Sequence, residues 1–238
     1  MIKSIIIFSL IINFIFLKNI YADTIQKKET LITTDGGIEV YQNEKYYDLS
    51  NNVDIKSKNF DLKADNVRAY YGKDYYDLTK IIATGSAYIL TSENSIITGD
   101  KIIYEIENEN FFIEGNGSFV DAELTVTGED IKGNFIKINN EKFVENVKAK
   151  DTNFVFIKNK EMKSYSKSAI YVKGTETLEL FNNVKIIKGS EVTTGDYAKI
   201  NMKTNNYSIR SNDNAIIIDG YLIKKNDNKV KLLIDSED

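Results

Sequence analysis

The sequence predicts an all-β protein, and three observations support this prediction. After Asp23, no long segment shows the 3.6-residue periodicity of a helix. Short runs alternate apolar and polar residues instead, and Gly, Asn and Asp interrupt them about every eight residues. A short motif also recurs along the chain at intervals of roughly 30 residues. A stack of short strands is therefore expected.

The first 22 residues are predicted to be a secretory signal peptide. Lys3 supplies a positive charge, residues 4–17 are mostly apolar, and Ala22 offers a small residue for cleavage. The apolar core is short for a membrane span, which needs about 20 residues. Lys18, directly after the apolar run, is unusual for a signal peptide. An uncleaved segment that anchors the protein in the inner membrane therefore remains an alternative.

The strand pattern places apolar side chains two residues apart, so one face of each strand is apolar and the other is polar and faces solvent. Such an amphipathic strand fits one face packed on a core and one face in water. Clear examples are residues 60–64, 67–71, 102–107, 136–138 and 198–202.

The recurring motif begins with a small or Asn/Gly turn and continues into a short strand. With Val53, Ala87, Phe119, Val147, Val184 and Ala215 as markers, the intervals are 34, 32, 28, 37 and 31 residues. Ten to fifteen residues further on, most units carry a Gly/Ala-Asp step, at 64–65, 99–100 and 195–196 and more loosely at 128–130. We expect about five units, each with four short strands, and none can bury its own apolar face, so the units must stack.

Two stretches depart from the repeat. Near residue 150 the unit is weakest, because residues 160–167 replace the Gly-Asp step; we interpret this as a longer excursion within one domain, 23–223. Residues 224–238 are charged and partly apolar, and are expected to form a frayed tail or a segment that contacts a partner.

The composition excludes many functions. The chain of 238 residues has a net charge of −4 and no Cys, His, Pro or Trp. Disulfides, thiolate nucleophiles, Ser-His-Asp triads and the usual zinc sites are therefore excluded. With Arg68 and Arg210 as the only arginines, no basic cluster for nucleic acid is expected. We predict that the protein is not an enzyme and that it binds no cofactor and no metal. Calcium is not expected at the Gly-Asp steps, because they lack the dense repeat of a calcium-binding β-helix.

The repeated motifs resemble those of the OstA-like family of periplasmic lipopolysaccharide transport proteins, typified by LptA. The segments that carry the resemblance are NNVDI at 51–55 with ADNV at 64–67, GDKIIY at 99–104, and NNVKI at 182–186 with GDYA at 195–198. The likeness extends over about residues 36–220, behind an export signal. The extra length and the imperfect units near Gly128 and Lys160 depart from a short family member.

The resemblance implies a twisted, open β-jellyroll of two antiparallel sheets, with the acyl chains of lipopolysaccharide held between them. It implies a periplasmic bridge that carries lipid A between the inner and outer membranes. It also implies partners among related jellyroll proteins of the inner- and outer-membrane complexes, or copies of the chain joined head to tail. The absence of Pro leaves strand edges open to such pairing.

Within this interpretation, the inward aliphatic and aromatic side chains are the candidate groove lining. In the family the N-terminal Ile-x-Ile strand lines the groove opening, and Ile38-Glu39-Val40 corresponds to it here; Tyr104 matches a tyrosine of the central strand. The same residue types fill any sandwich core, so groove and core remain alternatives for each. The candidates are Ile38, Val40, Val53, Ile55, Leu62, Ile102, Tyr104, Ile106, Ile136, Ile138, Ile200 and Met202.

Other functions also stay open at this point. The chain could be an LptC-like anchored component of the same pathway or resemble the periplasmic domain of LptD. It could also be a β-solenoid surface protein with a dry core and a glycan-binding outer face, or a carboxylate-based glycan hydrolase on a β-helix. A slot between the sheets that can shelter acyl chains distinguishes the carrier from these alternatives.

Overall fold

The computed structural model describes residues 30–57, 60–75, 77–92, 94–138, 141–211, 216–218, 221–223 and 230–234. The expected signal peptide and the repeat marker Ala215 lie outside these residues. Within the described ranges, no helix is long and apolar enough to cross a membrane.

Strands make up most of the described chain, which confirms the predicted all-β class. Their burial alternates as expected: in the strand from Phe60 to Tyr71, Phe60, Leu62 and Ala64 are buried while Lys63 is exposed. The strands are β1 Leu31–Thr33, β2 Gly37–Tyr41, β3 Tyr46–Lys56, β4 Phe60–Tyr71, β5 Leu78–Thr91, β6 Ile96–Glu105, β7 Asn110–Val120, β8 Thr125–Ile138, β9 Glu141–Lys158, β10 Met162–Val172, β11 Thr177–Lys188, β12 Glu191–Asn201, β13 Asn206–Arg210, β14 Ile216–Ile218, β15 Tyr221–Ile223 and β16 Lys231–Ile234.

Fourteen strands form one antiparallel sheet in which neighbours along the chain are neighbours in space from β3 to β13. This meander needs only short hairpin connections, as the regular spacing of turn residues predicts. At one end β1 and β2 each pair with a different half of β3, and at the other end β13 and β16 each pair with a different half of β12. The sheet is open, because these two ends do not pair with each other. β14 and β15 form a separate two-stranded sheet.

Most of the long strands bend near their middle, and the repeated motifs lie at these bends. Two consecutive residues with positive φ stand opposite one acidic residue of the next strand, which is a bulge of two residues against one. Asn and Gly suit the left-handed conformation that these positions require. The pairs and their partners are Asn51-Asn52 with Asp65, Gly85-Ser86 with Asp100, Gly115-Asn116 with Glu129, and Asn182-Asn183 with Asp196.

The bends fold the sheet onto itself. Phe111 and Phe119 lie eight residues apart in β7, on either side of Gly115-Asn116, and would be about 26 Å apart in a straight strand. Their ring centroids are 5.6 Å apart. The two antiparallel sheets implied by the family resemblance are therefore the two halves of one hydrogen-bonded sheet. For the same reason, each repeat unit contains two long, bent strands in place of the four short strands that the sequence predicted.

We name the two halves layer A and layer B. Layer A comprises residues 53–56, 60–64, 87–91, 96–99, 117–120, 125–128, 155–158, 162–166, 184–188 and 191–195, and layer B comprises residues 46–50, 66–71, 78–84, 101–105, 110–114, 130–138, 141–150, 168–172, 177–181 and 197–201.

The main hydrophobic core lies between the layers and runs along the whole sheet. Its largest fully buried side chains come from both layers, including Ile55 and Leu62 from layer A and Ile102 and Phe111 from layer B. Burial of such side chains is the dominant stabilising contribution in a chain without disulfides.

Candidate lipid-binding interior and its mouth

Most of the predicted groove residues lie in the interior between the layers. Val53, Ile55, Leu62, Ile102, Tyr104 and Ile200 are buried. Ile106 and Met202 are partly buried and pack against the same core, and Ile136 is partly buried. The side chain of Ile138 lies outside the described residues. The interior therefore gathers the predicted residues of the middle strands.

Ile38 and Val40 lie at the N-terminal end of the interior. Ile38 is paired with Leu49, which is buried between the layers, and cross-strand partners share a face of the sheet. Ile38 is nevertheless 50% exposed and Val40 48% exposed. Both side chains therefore extend the interior surface beyond the last covered strand.

The C-terminal end shows the same arrangement. Leu232 of β16 is paired with the buried Thr193, and Ile209 of β13 with the buried Ala198. Leu232 is 54% exposed, whereas Ile209 packs against the core. The interior thus ends in exposed apolar side chains at both ends of the sheet.

Aromatic rings connect the layers in the N-terminal half. Tyr104 of layer B and Phe60 of layer A form a T-shaped pair with ring centroids 6.0 Å apart, and Phe135 of layer B forms a second T-shaped pair with Tyr104 at 6.4 Å. The Tyr104 hydroxyl donates a hydrogen bond of 2.7 Å to Glu109 Oε2. The tyrosine therefore presents its ring to the interior and its polar end to the rim, where the hairpin turns of the two layers face each other.

A cavity of about 410 Å³ lies at this rim in the C-terminal half. Its walls come from turns of both layers, and its largest apolar side chains are Leu124, Tyr171 and Met202. Leu124 and Tyr171 are 2% and 3% exposed. We call this opening the mouth. Its lining is Ala122, Glu123, Leu124, Asn159, Lys160, Glu161, Tyr171, Glu176, Met202, Lys203 and Asn205.

Two polar contacts cross the mouth from one layer's turns to the other's. Asn159 Nδ2 donates a hydrogen bond of 2.9 Å to Asn205 Oδ1. Lys173 forms an ion pair with Glu123 across the mouth, and its Nζ lies 3.5 Å from Glu176 Oε1 in its own turn. Sequence reasoning missed these residues, because turns 46 and 50 residues apart meet only through the folding of the sheet.

Burial perturbs the ionisable groups around the mouth. Burial raises the pKa of Asp121, although its carboxylate accepts hydrogen bonds from the backbone N–H groups of Glu123 and Leu124. Burial also raises the pKa of the Tyr171 hydroxyl, with the charge of Glu176 as the next cause. For Lys173, burial alone would lower the pKa, but the hydrogen bond to Glu123 and the nearby carboxylates raise it, so the ammonium stays charged.

The acidic residues of the bends serve the fold. Asn116 Nδ2 donates a hydrogen bond of 2.9 Å to Asp100 Oδ2, and the Ser211 hydroxyl donates one of 2.8 Å to Asp196 Oδ2. Within the described residues, no group of three or more acidic side chains is placed to hold a metal ion.

This architecture, an open antiparallel sheet folded into two layers around an apolar interior, is the class of fold that the motifs predicted. Residues 32–137 match the family model described as "LptA/(LptD N-terminal domain) LPS transport protein". The match confirms the resemblance inferred from the Asn-Asn-Val and Gly-Asp motifs, and its family is one of transport proteins.

Among solved structures, the chain is similar to the crystal structure of LptH, "the LptA homologous periplasmic component of the conserved lipopolysaccharide transport device from Pseudomonas aeruginosa". The TM-score is 0.49 and the sequence identity 12%, over 60% of this chain and 95% of that one. No curated protein matches the chain.

Proposed function

We propose that the protein is a non-enzymatic, periplasmic carrier of lipopolysaccharide that shelters lipid A acyl chains between its two layers on their way from the inner to the outer membrane. The observation that carries this proposal is the match of residues 32–137 to the lipopolysaccharide transport family. The residues that would line the path are the twelve predicted from the strand pattern.

Hydrophobic transfer supplies the physical reason for such a carrier. Each acyl CH₂ moved from water to an apolar surface gains about 0.8 kcal/mol, so a chain of roughly a dozen carbons gains about 10 kcal/mol. Sugar and phosphate groups would stay in water at the rim. This division of the lipid needs an apolar interior with an opening along one side and no catalytic group.

The interior is closely packed around Phe111 and Phe119, which are both fully buried. Acyl chains must therefore part the layers to enter rather than fill a preformed channel. The rim is the place where parting costs least, because it faces water and the bends lie on the opposite side of the interior.

The ends of the sheet suit pairing with further jellyroll domains. β2 leaves the interior-facing Ile38 and Val40 exposed at one end, and β16 leaves Leu232 exposed at the other. Addition of a strand from another copy, or from a related protein of the membrane complexes, would cover these side chains and extend the interior.

Photo-crosslinking tests the carrier function. A photoreactive residue at Tyr104 or Ile38 in the full chain is expected to label lipopolysaccharide. The matched controls are the next residues on the opposite faces of the same strands, Glu105 and Glu39, which are expected to remain unlabelled. Labelling from Glu39 and Glu105 alone would favour a glycan-binding outer face and would contradict the carrier.

A further inference from the structure

We propose that the mouth is a latched side opening that admits one acyl chain of an anionic amphiphile, and that the contacts Glu123–Lys173–Glu176 and Asn159–Asn205 are the latch. This inference rests on the proposed function, since it names the place where the lipid enters and the residues that control it.

Among the residues that the structure describes, the latch joins turns that no strand pairing connects to each other. Glu123 and Asn159 lie in turns that follow layer A strands, whereas Lys173 and Asn205 lie in turns that follow layer B strands. Sheet hydrogen bonds run along each layer from strand to strand, so they do not restrain the separation of the two rims. The two polar contacts do restrain it.

The latch is suited to opening. The side chains of Glu123 and Lys173 are 58% and 30% exposed, and partly exposed ion pairs of this kind contribute little net stability. Water can solvate all of the latch side chains once they separate. Opening would expose Leu124 and Tyr171, and an apolar ligand would cover them again.

The chemistry of the lining indicates the ligand class. Leu124, Tyr171 and Met202 offer an apolar floor to a chain, and the cavity of about 410 Å³ suits a narrow ligand. The lining also holds three carboxylates, of which Glu123 and Glu176 are paired with Lys173 and Glu161 is exposed. Lys160 and Lys203 are exposed at the rim, one beside each layer, where ammonium groups can meet phosphates of a lipid headgroup. An acyl chain with an anionic headgroup fits both features.

Opening the latch by mutation is the first test. Lys173→Met removes the cross-layer ion pair, and Lys101→Met is the matched control, because the 2.8 Å contact of Lys101 with Glu114 lies within layer B. Uptake of purified rough-type lipopolysaccharide, followed by stopped-flow fluorescence, is expected to accelerate about threefold in the first variant and to be unchanged in the second. Equal uptake rates in wild type and Lys173→Met would overturn the latch.

Locking the latch is the second test and guards against nonspecific effects of the first. Because the chain has no Cys, the double variant Asn159→Cys/Asn205→Cys can be joined by a short bis-maleimide. The protein cross-linked at the mouth is expected to lose most of its lipopolysaccharide uptake, whereas the cross-linked control Lys101→Cys/Glu114→Cys is expected to keep its uptake. Full uptake by the protein joined at the mouth would contradict the proposal.

Two further readouts separate the ligand class from the carrier function. Inorganic phosphate and an uncharged maltoside detergent should each compete with labelled lipopolysaccharide for the protein more weakly than unlabelled lipopolysaccharide does. Full competition by either one alone would refute a ligand that needs both an acyl chain and an anionic headgroup. Amide hydrogen exchange of residues 121–124 and 173–176 in Lys173→Met, without lipid, should quicken if the latch holds the rims. If exchange quickens but wild-type protein takes up no lipopolysaccharide, the latch stands and the carrier function fails.

Discussion

Residues 32–137 and residues 141–210 build the same kind of bent sheet by different means. In the first region, bends follow one rule, a pair such as Gly85-Ser86 or Gly115-Asn116 opposite one acidic residue. In the second, Asn182-Asn183 opposite Asp196 keeps the rule, but β9 departs from it, because residues 151–154 bulge out opposite the single Lys167 of β10. The bend survives because the ladder resumes at Ser166–Val155, so bulge length can vary without loss of the fold.

The regions also differ in how their layers meet at the rim. Aromatic contacts such as Phe60–Tyr104 join the layers within the first region, while the polar latch and the cavity lie where the turn at 121–124 of the first region meets turns of the second. The family match ends at residue 137, although one regular bend, Asn182-Asn183 opposite Asp196, lies beyond it. A tightly packed part of the rim and a part with an opening are thus combined in one continuous sheet.

The largest expected effect comes from the packed half. Phe111→Ala removes a fully buried ring that stacks on Phe119 and touches Phe135, and should cost about 3–5 kcal/mol of the free energy of unfolding. Urea denaturation followed by tyrosine fluorescence measures it. Phe154→Ala, in the second region and 54% exposed, is the control and should cost less than about 1 kcal/mol. Similar losses in both variants would contradict the assignment of Phe111 to a closed interior.

The bends give the next largest effect. Gly115 has φ +73, and an added Cβ would lie 2.5 Å from Asp100 Oδ2, so Gly115→Ala should destabilise by about 1–3 kcal/mol. Gly174→Ala, with nothing within 4 Å of the new carbon and no positive φ, is the control. Thermal unfolding of the two variants checks the difference. A loss no greater at Gly115 than at Gly174 would show that the bend does not need its left-handed residues.

The strand halves could be predicted from alternation, but the continuity of the strands could not. The sequence predicts a turn at Asn51-Asn52 that leads into a new strand. Two left-handed residues serve equally well in a hairpin turn and in a bend, and what keeps β3 continuous is its pairing with β4 on both sides of Asp65. That pairing is a long-range property which the local sequence does not encode.

The site shows the same division. Alternation placed Ile55, Leu62 and Ile102 on the interior face, where the structure buries them. It did not indicate that Leu124 and Tyr171 would line an opening, because their neighbourhood depends on turns from the two layers meeting. Whether the predicted residues contact lipid stays a prediction that crosslinking must test.

A smaller effect is expected from the charges on the outer face. Arg68 in the first region donates to both Asp48 oxygens, at 2.7 and 3.4 Å, and lies over the Tyr46 ring at 4.5 Å. Lys150 in the second region is 2.9 Å from Asp130 but 68% exposed. Arg68→Met should cost about 1 kcal/mol and Lys150→Met about 0.3 kcal/mol, since a forked, stacked guanidinium is better fixed than an exposed ammonium. Both losses, measured by urea denaturation, should shrink in 1 M salt. A larger loss for Lys150 would reverse this ranking.

The smallest expected effect concerns Asp121, beside the mouth. Burial raises its pKa in the folded state, so folded protein binds this proton more tightly than unfolded protein, and stability falls as pH rises through the two pKa values. Asp121→Asn removes the buried charge, while its side-chain oxygen can still accept the N–H groups of Glu123 and Leu124. The variant should therefore be slightly more stable than wild type at pH 7 and as stable as wild type at pH 3. Urea denaturation at both pH values measures this, with Asp151→Asn as the control, because Asp151 likewise accepts two backbone N–H groups but lies in the β9 bulge of residues 151–154, away from the mouth. An equal pH dependence of stability in the two variants would mean that burial beside the mouth does not raise the pKa of Asp121.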